Sequence, residues 1–280
     1  MKKCGQWPIG ICSWSFQKSI EDLGAFMREQ GVEHIHLALA PALGAEGGGY
    51  LDAVRRQGWT ITSTMLHFDH EDYSSLDTIR VTGGIAMDNK WDFALSSFMR
   101  AAKITAELGV PYLSMHVGFL DHSDAAYART FYDRVRALGD AARAVGVTLL
   151  METGQESAAD LREFLVTLNH PNVMLNFDPA NMILYNKDEP VAALKLLAPW
   201  IRPVHAKDAT RTKINGTWGA EVPWGDGEVN APAFLDALRD IGFTGALAVE
   251  REAGDQRAID ISTAIQRLAA YEGIILVNRA

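Results

Sequence analysis

Four stretches in the second half of the chain each end an apolar run with an acidic or imidazole side chain: VTLLMETG at 147–154, VMLNFDPAN at 173–181, IRPVHAKD at 201–208 and ALAVERE at 246–252. These side chains are Glu152, Asp178, His205 and Glu250. A helix-like segment follows each run, and this alternation is typical of parallel strands joined by helical crossovers. The stretches therefore predict an α/β fold in which the four side chains meet at one edge of a parallel sheet.

The same alternation extends over the whole chain. Eight apolar, strand-like runs span residues 8–16, 32–38, 59–68, 111–119, 147–152, 173–178, 201–206 and 246–250. The helix-like segments include 19–30, 91–108, 124–145, 157–168, 190–197, 231–241 and 257–271. Eight strand–helix units predict a single (β/α)8 barrel, the TIM barrel, as one domain over residues 1–280. A doubly wound open sheet is the alternative, although no GxGxxG motif follows the first strand.

Length, charge and cysteine content narrow the class of protein. The 280 residues are 48% hydrophobic, which is enough for one barrel-sized core. A formal net charge of -9 disfavours a nucleic-acid binder, which needs a basic face. Cys4 and Cys12 have no CxxC spacing, so we expect a cytoplasmic protein without a disulfide framework or a zinc ribbon. No signal-peptide pattern or run of about 20 apolar residues predicts a membrane partner.

The spacing of the four strand-end residues supports a common site. From Glu152 to Asp178 is 26 residues and from Asp178 to His205 is 27, one strand–helix unit each, whereas the 45 residues to Glu250 add a long loop. Consecutive strand ends surround the C-terminal face of a barrel, where TIM-barrel active sites lie. Carboxylates with one imidazole suit Mn²⁺, Mg²⁺ or Co²⁺, and Zn²⁺ is the alternative. A single strand-end acid is usually a helix cap or a surface charge, but four in register favour a metal site.

Longer motifs carry a family resemblance. Four motifs follow the ET of the fifth strand in order: FDPAN at 177–181, VHAKD at 204–208, PWGDGEVN at 223–230 and VERE at 249–252. Through these motifs the chain resembles the xylose isomerase-like superfamily, which contains sugar isomerases and epimerases, inosose dehydratases and the endonuclease IV branch. The resemblance extends over essentially the whole chain. The DPAN form resembles its broad sugar phosphate isomerase/epimerase group. The resemblance implies one divalent ion, Mn²⁺ with Mg²⁺, Co²⁺ and Zn²⁺ as alternatives, held by Glu152, Asp178, His205 and Glu250.

The ketose 3-epimerase branch of that superfamily implies roles for individual residues. By resemblance, Glu152 and Glu250 move a proton on and off the carbon next to the carbonyl, through a cis-enediolate. Arg211 lies six residues after His205, as an arginine does in the branch, and is implied to hold a sugar hydroxyl or a carboxylate. The chain departs from the branch at Asn181, where the branch has a histidine, and at Ala158, where it has a glutamate.

Further candidates for substrate contacts lie near the predicted barrel mouth. They are His67 and His116 at the ends of the third and fourth strands, Asn181, Lys207, Arg211 and Trp224. Strand alternation turns Lys207 inward together with His205. Each candidate also has a structural interpretation: a satisfied core histidine, a lysine that supports the barrel mouth, a solvated loop arginine, or a tryptophan that packs under a tight turn. The polar segment 69–89 either covers the site or is a surface excursion.

We expect a metal-dependent sugar isomerase or epimerase that acts on a small carbohydrate. A lyase or dehydratase on a keto-sugar, keto-inositol or 3-keto-glycoside is the alternative, because it begins with the same proton abstraction. Two further interpretations are a non-catalytic sugar-binding barrel and an abasic-site endonuclease. The eight histidines and the charge of -9 disfavour the endonuclease. The sequence leaves the oligomeric state open, a homo-oligomer included.

Overall fold

The computed structural model describes residues 1–271 of the chain. Its strands are β1 Lys3–Cys4, β2 Trp7–Cys12, β3 His34–Ala38, β4 Thr60–Leu66, β5 Tyr112–Met115, β6 Thr148–Glu152, β7 Val173–Phe177, β8 Ile201–Ala206, β9 Asp208–Thr210, β10 Ala220–Val222 and β11 Leu247–Val249. Positions 272–280 of the predicted single domain lie outside the described residues.

Eight of these strands close into a parallel barrel. Strands β2 to β8 are neighbours in chain order, and β11 lies between β8 and β2, so that it closes the ring. The predicted (β/α)8 TIM barrel is therefore confirmed. Strand β1 pairs antiparallel with β2, and β9 and β10 form a separate two-stranded hairpin after β8. All eight barrel strands point their carboxyl ends to the same mouth, which brings the segments after them together.

The helices surround the barrel. They are α1 Ser13–Phe16, α2 Ile20–Gln30, α3 Ala40–Leu43, α4 Gly47–Gln57, α5 Leu76–Thr82, α6 Trp91–Glu107, α7 Ala125–Ala144, α8 Ala158–Leu168, α9 Pro179–Leu184, α10 Pro190–Leu197, α11 Ala231–Asp240 and α12 Arg257–Ala269. Short 3₁₀ turns span Asp88–Lys90 and Ala198–Trp200. Ser19 and Ser157 cap α2 and α8, because each hydroxyl accepts a hydrogen bond from the backbone N–H three residues later.

The core lies between the strands and the helices. Phe98 of α6, Phe164 of α8, Phe177 of β7 and Phe234 of α11 are fully buried. The rings of Phe177 and Phe234 stack with centroids 5.9 Å apart, which fixes a helix against a strand. Burying one such side chain stabilises the fold by roughly 1.5–3 kcal/mol. None of the helices in residues 1–271 combines the length and apolar content needed to cross a membrane.

Several predicted boundaries differ from the structure. The first predicted strand corresponds to β2 and ends at Cys12 rather than at residue 16. Ser13 Oγ accepts the N–H of Ala38 there, and the chain turns into α1. The fourth predicted strand corresponds to β5 and ends at Met115 rather than at residue 119. Beyond Met115 the chain contacts the segment between α5 and α6, because the N–H of Ile85 donates to the carbonyl of Val117. Helices α3, α4, α5 and α9 and the β9–β10 hairpin were not among the predicted elements.

Candidate active site

Glu152, Asp178, His205 and Glu250, here called the four-residue cluster, converge at the barrel mouth. One ligand atom from each lies within 4.8 Å of the others, and all four residues are buried. His205 Nδ1 is 3.0 Å from Glu152 Oε1, 3.0 Å from Glu250 Oε2 and 3.5 Å from Asp178 Oδ2. The strand ends thus bring together the four side chains that the spacing placed on one face.

The arrangement of these atoms fits a bound cation. His205 Nδ1, Asp178 Oδ2 and Glu250 Oε2 are buried without a hydrogen-bond partner in the described chain. They are close to one another, yet no pair has hydrogen-bond geometry, as expected of ligands arranged around a common centre. Unpartnered buried carboxylate oxygens are costly unless a positive charge compensates them. Three carboxylates and one imidazole are the donor set of a hard divalent ion such as Mg²⁺ or Mn²⁺.

Local hydrogen bonds orient the carboxylates. Asp178 is the N-cap of α9, and its Oδ1 accepts the N–H groups of Ala180 at 2.8 Å and Asn181 at 3.1 Å, which leaves Oδ2 directed at the cluster. Glu250 Oε1 accepts the indole N–H of Trp14 at 2.6 Å, and Oε2 faces His205 Nδ1 at 3.0 Å and the Lys207 ammonium at 3.2 Å. Asp178 and Glu250 therefore each use one oxygen for positioning and direct the other at the cluster.

His36 of β3 orients the imidazole of His205 from below. Its Nε2 lies 3.2 Å from the carbonyl oxygen of Thr64, which only accepts, so this nitrogen carries the proton. Burial lowers the pKa of His36 to about 3, and its neutral ring accepts at Nδ1, 2.9 Å from His205 Nε2. The amide of Asn176 also lies 3.1 Å from that nitrogen, but its NH₂ group has an acceptor in Glu152 Oε1 at 3.3 Å. His205 therefore donates from Nε2 and presents Nδ1 to the cluster.

His116 and Glu152 form a buried ion pair, with His116 Nε2 2.7 Å from Glu152 Oε2. Burial alone would lower the pKa of His116, but the charge of Glu152 and its hydrogen bond outweigh it and raise the pKa to about 9. Burial alone would raise the pKa of Glu152, yet its contacts with His116 and His205 hold that pKa well below the usual range. In the metal-free protein at neutral pH, Glu152 is a carboxylate and His116 carries a proton.

Lys207 is the central cation of the site. Its ammonium lies 2.7 Å from Glu252 Oε2, 3.2 Å from Glu250 Oε2, 3.8 Å from Asp178 Oδ2 and 4.0 Å from Glu221 Oε2. Burial alone would lower the pKa of Lys207, but the surrounding carboxylates, Glu250 and Glu252 first, raise it well above its ordinary value. The lysine is therefore charged and partly offsets the negative potential of the mouth.

Asp208 fixes the loop after β8. Its carboxylate accepts the N–H groups of Gly225, Gly227 and Val229 at 2.9–3.1 Å, so the PWGDGEV segment wraps around it. A Cβ at Gly227 would overlap this carboxylate, which explains the glycine. The wrapped loop carries Trp224 into the core, where its ring meets Phe234 edge to face.

A cavity of about 490 Å³ opens beside the cluster. Glu152 and Glu250 line it, together with Trp14, Ala38, Met65, His67, Tyr73, His116, Asn181, Leu184, Tyr185, Lys207, Trp218, Glu221 and Glu252. A larger concavity, about 680 Å³, lies among the strand starts at the opposite end of the barrel, but no carboxylate lines it. The cavity at the mouth is therefore where the titratable groups and space for a ligand coincide.

The structure separates the predicted substrate contacts into two groups. His67, His116, Asn181 and Lys207 line the cavity. Arg211 does not: its guanidinium lies 2.8 Å from Glu189 Oε1 and 3.2 Å from Asn186 Oδ1, in the loop region beside α10. Trp224 is buried and packs in the core. Both residues follow the seventh barrel strand, β8, in sequence, but neither side chain lines the cavity.

Other cavity residues were not predicted as site residues. Tyr73 lies in the long segment after β4, so this segment contributes to the cavity wall. Tyr185 and Trp218 come from the end of α9 and the loop before β10, where no pattern marks them. His36 does not line the cavity, but it contacts His205. The alternation of side chains along HIHLA places His36 on one face of β3, and only the pairing of β3 with β4 shows that this face is the inside of the barrel.

Fold and site together define a class of protein: a (β/α)8 barrel with a buried cluster of carboxylates and imidazole at the carboxyl ends of its strands. The chain matches the family model described as xylose isomerase-like TIM barrel over residues 15–271, and it belongs to that family. The resemblance seen in the sequence motifs is thereby confirmed. A search of curated proteins gave no match.

Solved structures share the fold over nearly the whole chain. A xylose isomerase domain protein from Planctomyces limnophilus has a TM-score of 0.85 at 28% identity, with 95% of this chain and 97% of that one covered. A xylose isomerase-like TIM barrel protein from Mycobacterium smegmatis in complex with magnesium has a TM-score of 0.72 at 19% identity, covering 98% and 100%. The 3-keto-D-glucoside 4-epimerase YcjR from E. coli has a TM-score of 0.68 at 17% identity, covering 94% and 98%.

Proposed function

We propose that the protein is a divalent-metal-dependent sugar isomerase or epimerase that transfers a proton at the carbon next to a carbonyl. The observation that carries this proposal is the four-residue cluster, with three unpartnered ligand atoms, beside a cavity lined by two of its own carboxylates. Two similar structures support it by their descriptions, one as a complex with magnesium and one as a keto-glucoside epimerase.

The cluster would hold the ion through Glu152, Asp178, His205 and Glu250, and we propose Mn²⁺ with Mg²⁺ as the alternative. A divalent ion there supplies positive charge that stabilises the negative charge developing on the substrate when the carbon next to its carbonyl loses a proton.

The two glutamates would exchange that proton with the substrate. Glu250 is held at Oε1 by Trp14 and Glu152 at Oε2 by His116, so each carboxylate has a fixed direction and reaches the cavity. One glutamate, as the carboxylate, would remove the proton and leave an enediolate. The second glutamate, which must carry a proton at that stage, would return it to the same carbon in an epimerase or to its neighbour in an isomerase. His67, His116, Asn181 and Lys207 would bind hydroxyl or carbonyl oxygens, because all four line the cavity.

A lyase or dehydratase is the second candidate, and the protons of His116 and Lys207 favour it. Elimination needs an acid that protonates the departing oxygen, and these two charged groups lie beside the carboxylates. The first step, proton removal next to the carbonyl, is the same as in the isomerase.

Product analysis tests the proposal and separates the two candidates. The Mn²⁺-loaded protein and the same protein after chelation would be incubated with ketoses, keto-inositols and 3-keto-glycosides, and the products read by NMR. We expect the loaded protein alone to give an isomer or epimer of one panel member. An unsaturated product would favour the lyase, and conversion that survives chelation, or none at all with the loaded protein, would contradict the proposal.

A further inference from the structure

The cavity beside the cluster is rich in negative charge. Glu152, Glu221, Glu250 and Glu252 line it, and the single lysine that lines it in the described chain, Lys207, is already within 4.0 Å of four carboxylates. With Asp178, five carboxylates face the site. Arg251 pairs with Glu221 at 2.7 Å, and a divalent ion together with Lys207 would balance three of the other four carboxylates. A dianionic phosphate would therefore find, among the described residues, no cationic side chain at the cavity that is not already paired with a carboxylate.

The groups that usually bind phosphate are committed elsewhere. No arginine in residues 1–271 lines the cavity. Arg211 pairs with Glu189 at 2.8 Å, and Arg251 pairs with Glu221 at 2.7 Å and Asp260 at 2.8 Å. The N-terminus of α9, which lies at the cluster, gives its free N–H groups to Asp178. Arginine forks and helix N-termini are the common phosphate sites, and neither is available here.

The other half of the cavity wall is apolar and aromatic. Leu184, Tyr185 and Trp218 line it on the side of α9 and the loop before β10, and Met65, Tyr73 and Trp14 line the remainder. The indole N–H of Trp218 is buried without a partner in the described chain, so it can donate to a ligand oxygen. A free sugar could cover one aromatic ring with the C–H face of its own ring, but it would leave the rest of this wall without a matching apolar surface.

Tyr185 and Trp218, here called the aromatic wall, are held by a small hydrophobic cluster that is separate from the barrel core. Ile79, Phe119 and Tyr185 form a small buried cluster of their own, with Trp218 packed against it. The rings of Tyr185 and Trp218 have centroids 4.7 Å apart, and those of Phe119 and Tyr185 are 5.6 Å apart. Helix α5, in the long segment after β4, supplies Ile79, so that segment holds the wall in place.

We infer that the substrate is a keto-glycoside without phosphate, whose sugar carbonyl faces the four-residue cluster and whose apolar or aromatic aglycone packs against Tyr185 and Trp218. This inference rests on the proposed function, because it places a carbonyl at the cluster. The polar sugar ring meets Glu152, Glu250 and Lys207, and the aglycone buries the aromatic wall. The glycosidic oxygen between them would accept the Trp218 N–H.

Matched ligands test this substrate class. The phenyl and methyl glycosides of 3-keto-glucose, with the same anomeric configuration, and the 6-phosphate of the methyl glycoside would be titrated calorimetrically into the Mn²⁺-loaded protein. Burying a phenyl ring predicts that the phenyl glycoside binds at least about tenfold more tightly than the methyl glycoside. The phosphate should bind more weakly than both. Equal affinities for phenyl and methyl, or tighter binding of the phosphate, would overturn the inference.

Variants of Trp218 test whether the preference for the phenyl glycoside depends on this side chain. Trp218→Ala should reduce the phenyl-to-methyl affinity ratio to about threefold or less, whereas Trp218→Phe, which retains a ring, should keep most of it. An unchanged phenyl-to-methyl ratio in the alanine variant would place the aglycone elsewhere and contradict the inference. If that variant does not fold, the affinities of the wild-type protein for the three ligands decide the inference. Exchange of the proton next to the carbonyl is measured separately in D₂O. Tighter binding of the phenyl glycoside without any exchange would contradict the proposed function but not the inferred substrate class.

Discussion

His36 and His205 are joined ring to ring, with Nδ1 of His36 2.9 Å from Nε2 of His205. The Thr64 carbonyl fixes the proton of His36, and His36 in turn fixes the donor nitrogen of His205. This relay runs from β4 through β3 to β8 inside the barrel. It leaves Nδ1 of His205 as a lone pair for the four-residue cluster once a cation replaces its proton.

Replacing His36 by leucine should weaken metal binding. The change removes the acceptor for His205 Nε2, so the imidazole loses both its fixed tautomer and its orientation. We expect the affinity for Mn²⁺ to fall about 10–100-fold by calorimetry. His36→Gln, which retains an acceptor oxygen, should recover part of the loss, and His34→Leu on the same strand is the control. Wild-type affinity in His36→Leu would show that the relay has no role in binding.

Divalent ions should stabilise the fold through Asp178. At about 1,000 times the dissociation constant, a ligand that binds the folded state alone adds about 4 kcal/mol to the free energy of unfolding. Asp178→Asn keeps an oxygen for the cap of α9 but removes a charged ligand, so most of the Mn²⁺-dependent increment should disappear in urea unfolding. Asp124→Asn, which alters the cap of α7, is the matched control. The same increment in Asp178→Asn and wild type would contradict this role.

Loss of Lys207 should destabilise the metal-free protein. Lys207→Met leaves Glu250, Glu252 and their neighbours without their shared buried cation, and breaking a buried ion pair typically costs about 3–5 kcal/mol. The free energy of unfolding in the presence of a chelator measures this effect. Lys213 is exposed, and Lys213→Met should change that free energy by less than about 0.5 kcal/mol. A similarly small effect for Lys207→Met would mean that solvent already screens the carboxylates.

Glu156 should make stability depend on pH. Burial raises its pKa to about 8 from 4.5, so the folded protein keeps a proton that the unfolded chain releases. The unfolded state therefore gains stability relative to the folded state as pH rises from about 5 to 8. Glu156→Gln removes this term and should be more stable than wild type by about 4 kcal/mol at pH 8 and by about 1 kcal/mol or less at pH 5. The exposed Glu163→Gln is the control, and identical pH profiles for Glu156→Gln and wild type would refute the shift.

The sequence predicted those parts of the structure that depend on local signals. The barrel followed from the strand–helix alternation. Helix α10 spans the predicted residues 190–197, and Pro190 at its first position marks where it begins. Helix α4 was missed because GGGYLDAVRRQ begins with three glycines, whose low helix propensity tertiary packing overrides. The β9–β10 hairpin was missed because its strands are only three residues each.

The site was predicted where strands deliver side chains, and not where loops do. The four-residue cluster lies at strand ends, where alternation fixes the direction of each side chain. Arg211 lies beyond the end of a strand, so its distance from His205 in sequence did not determine which way its side chain turns. The aromatic wall of Tyr185 and Trp218 depends on a buried cluster of Ile79, Phe119 and Tyr185, whose members are far apart in sequence.

Solvent deuterium exchange tests most directly whether Glu152 and Glu250 transfer a proton at a metal-dependent site. The Mn²⁺-loaded wild type, the chelated wild type, Glu152→Gln and Glu250→Gln would be compared in D₂O with the same keto-sugar, and deuterium next to the carbonyl followed by NMR. We predict rapid incorporation by the loaded wild type, and at least about a hundredfold slower incorporation by the chelated protein and by both folded variants. Full exchange by either variant would contradict the two-carboxylate mechanism.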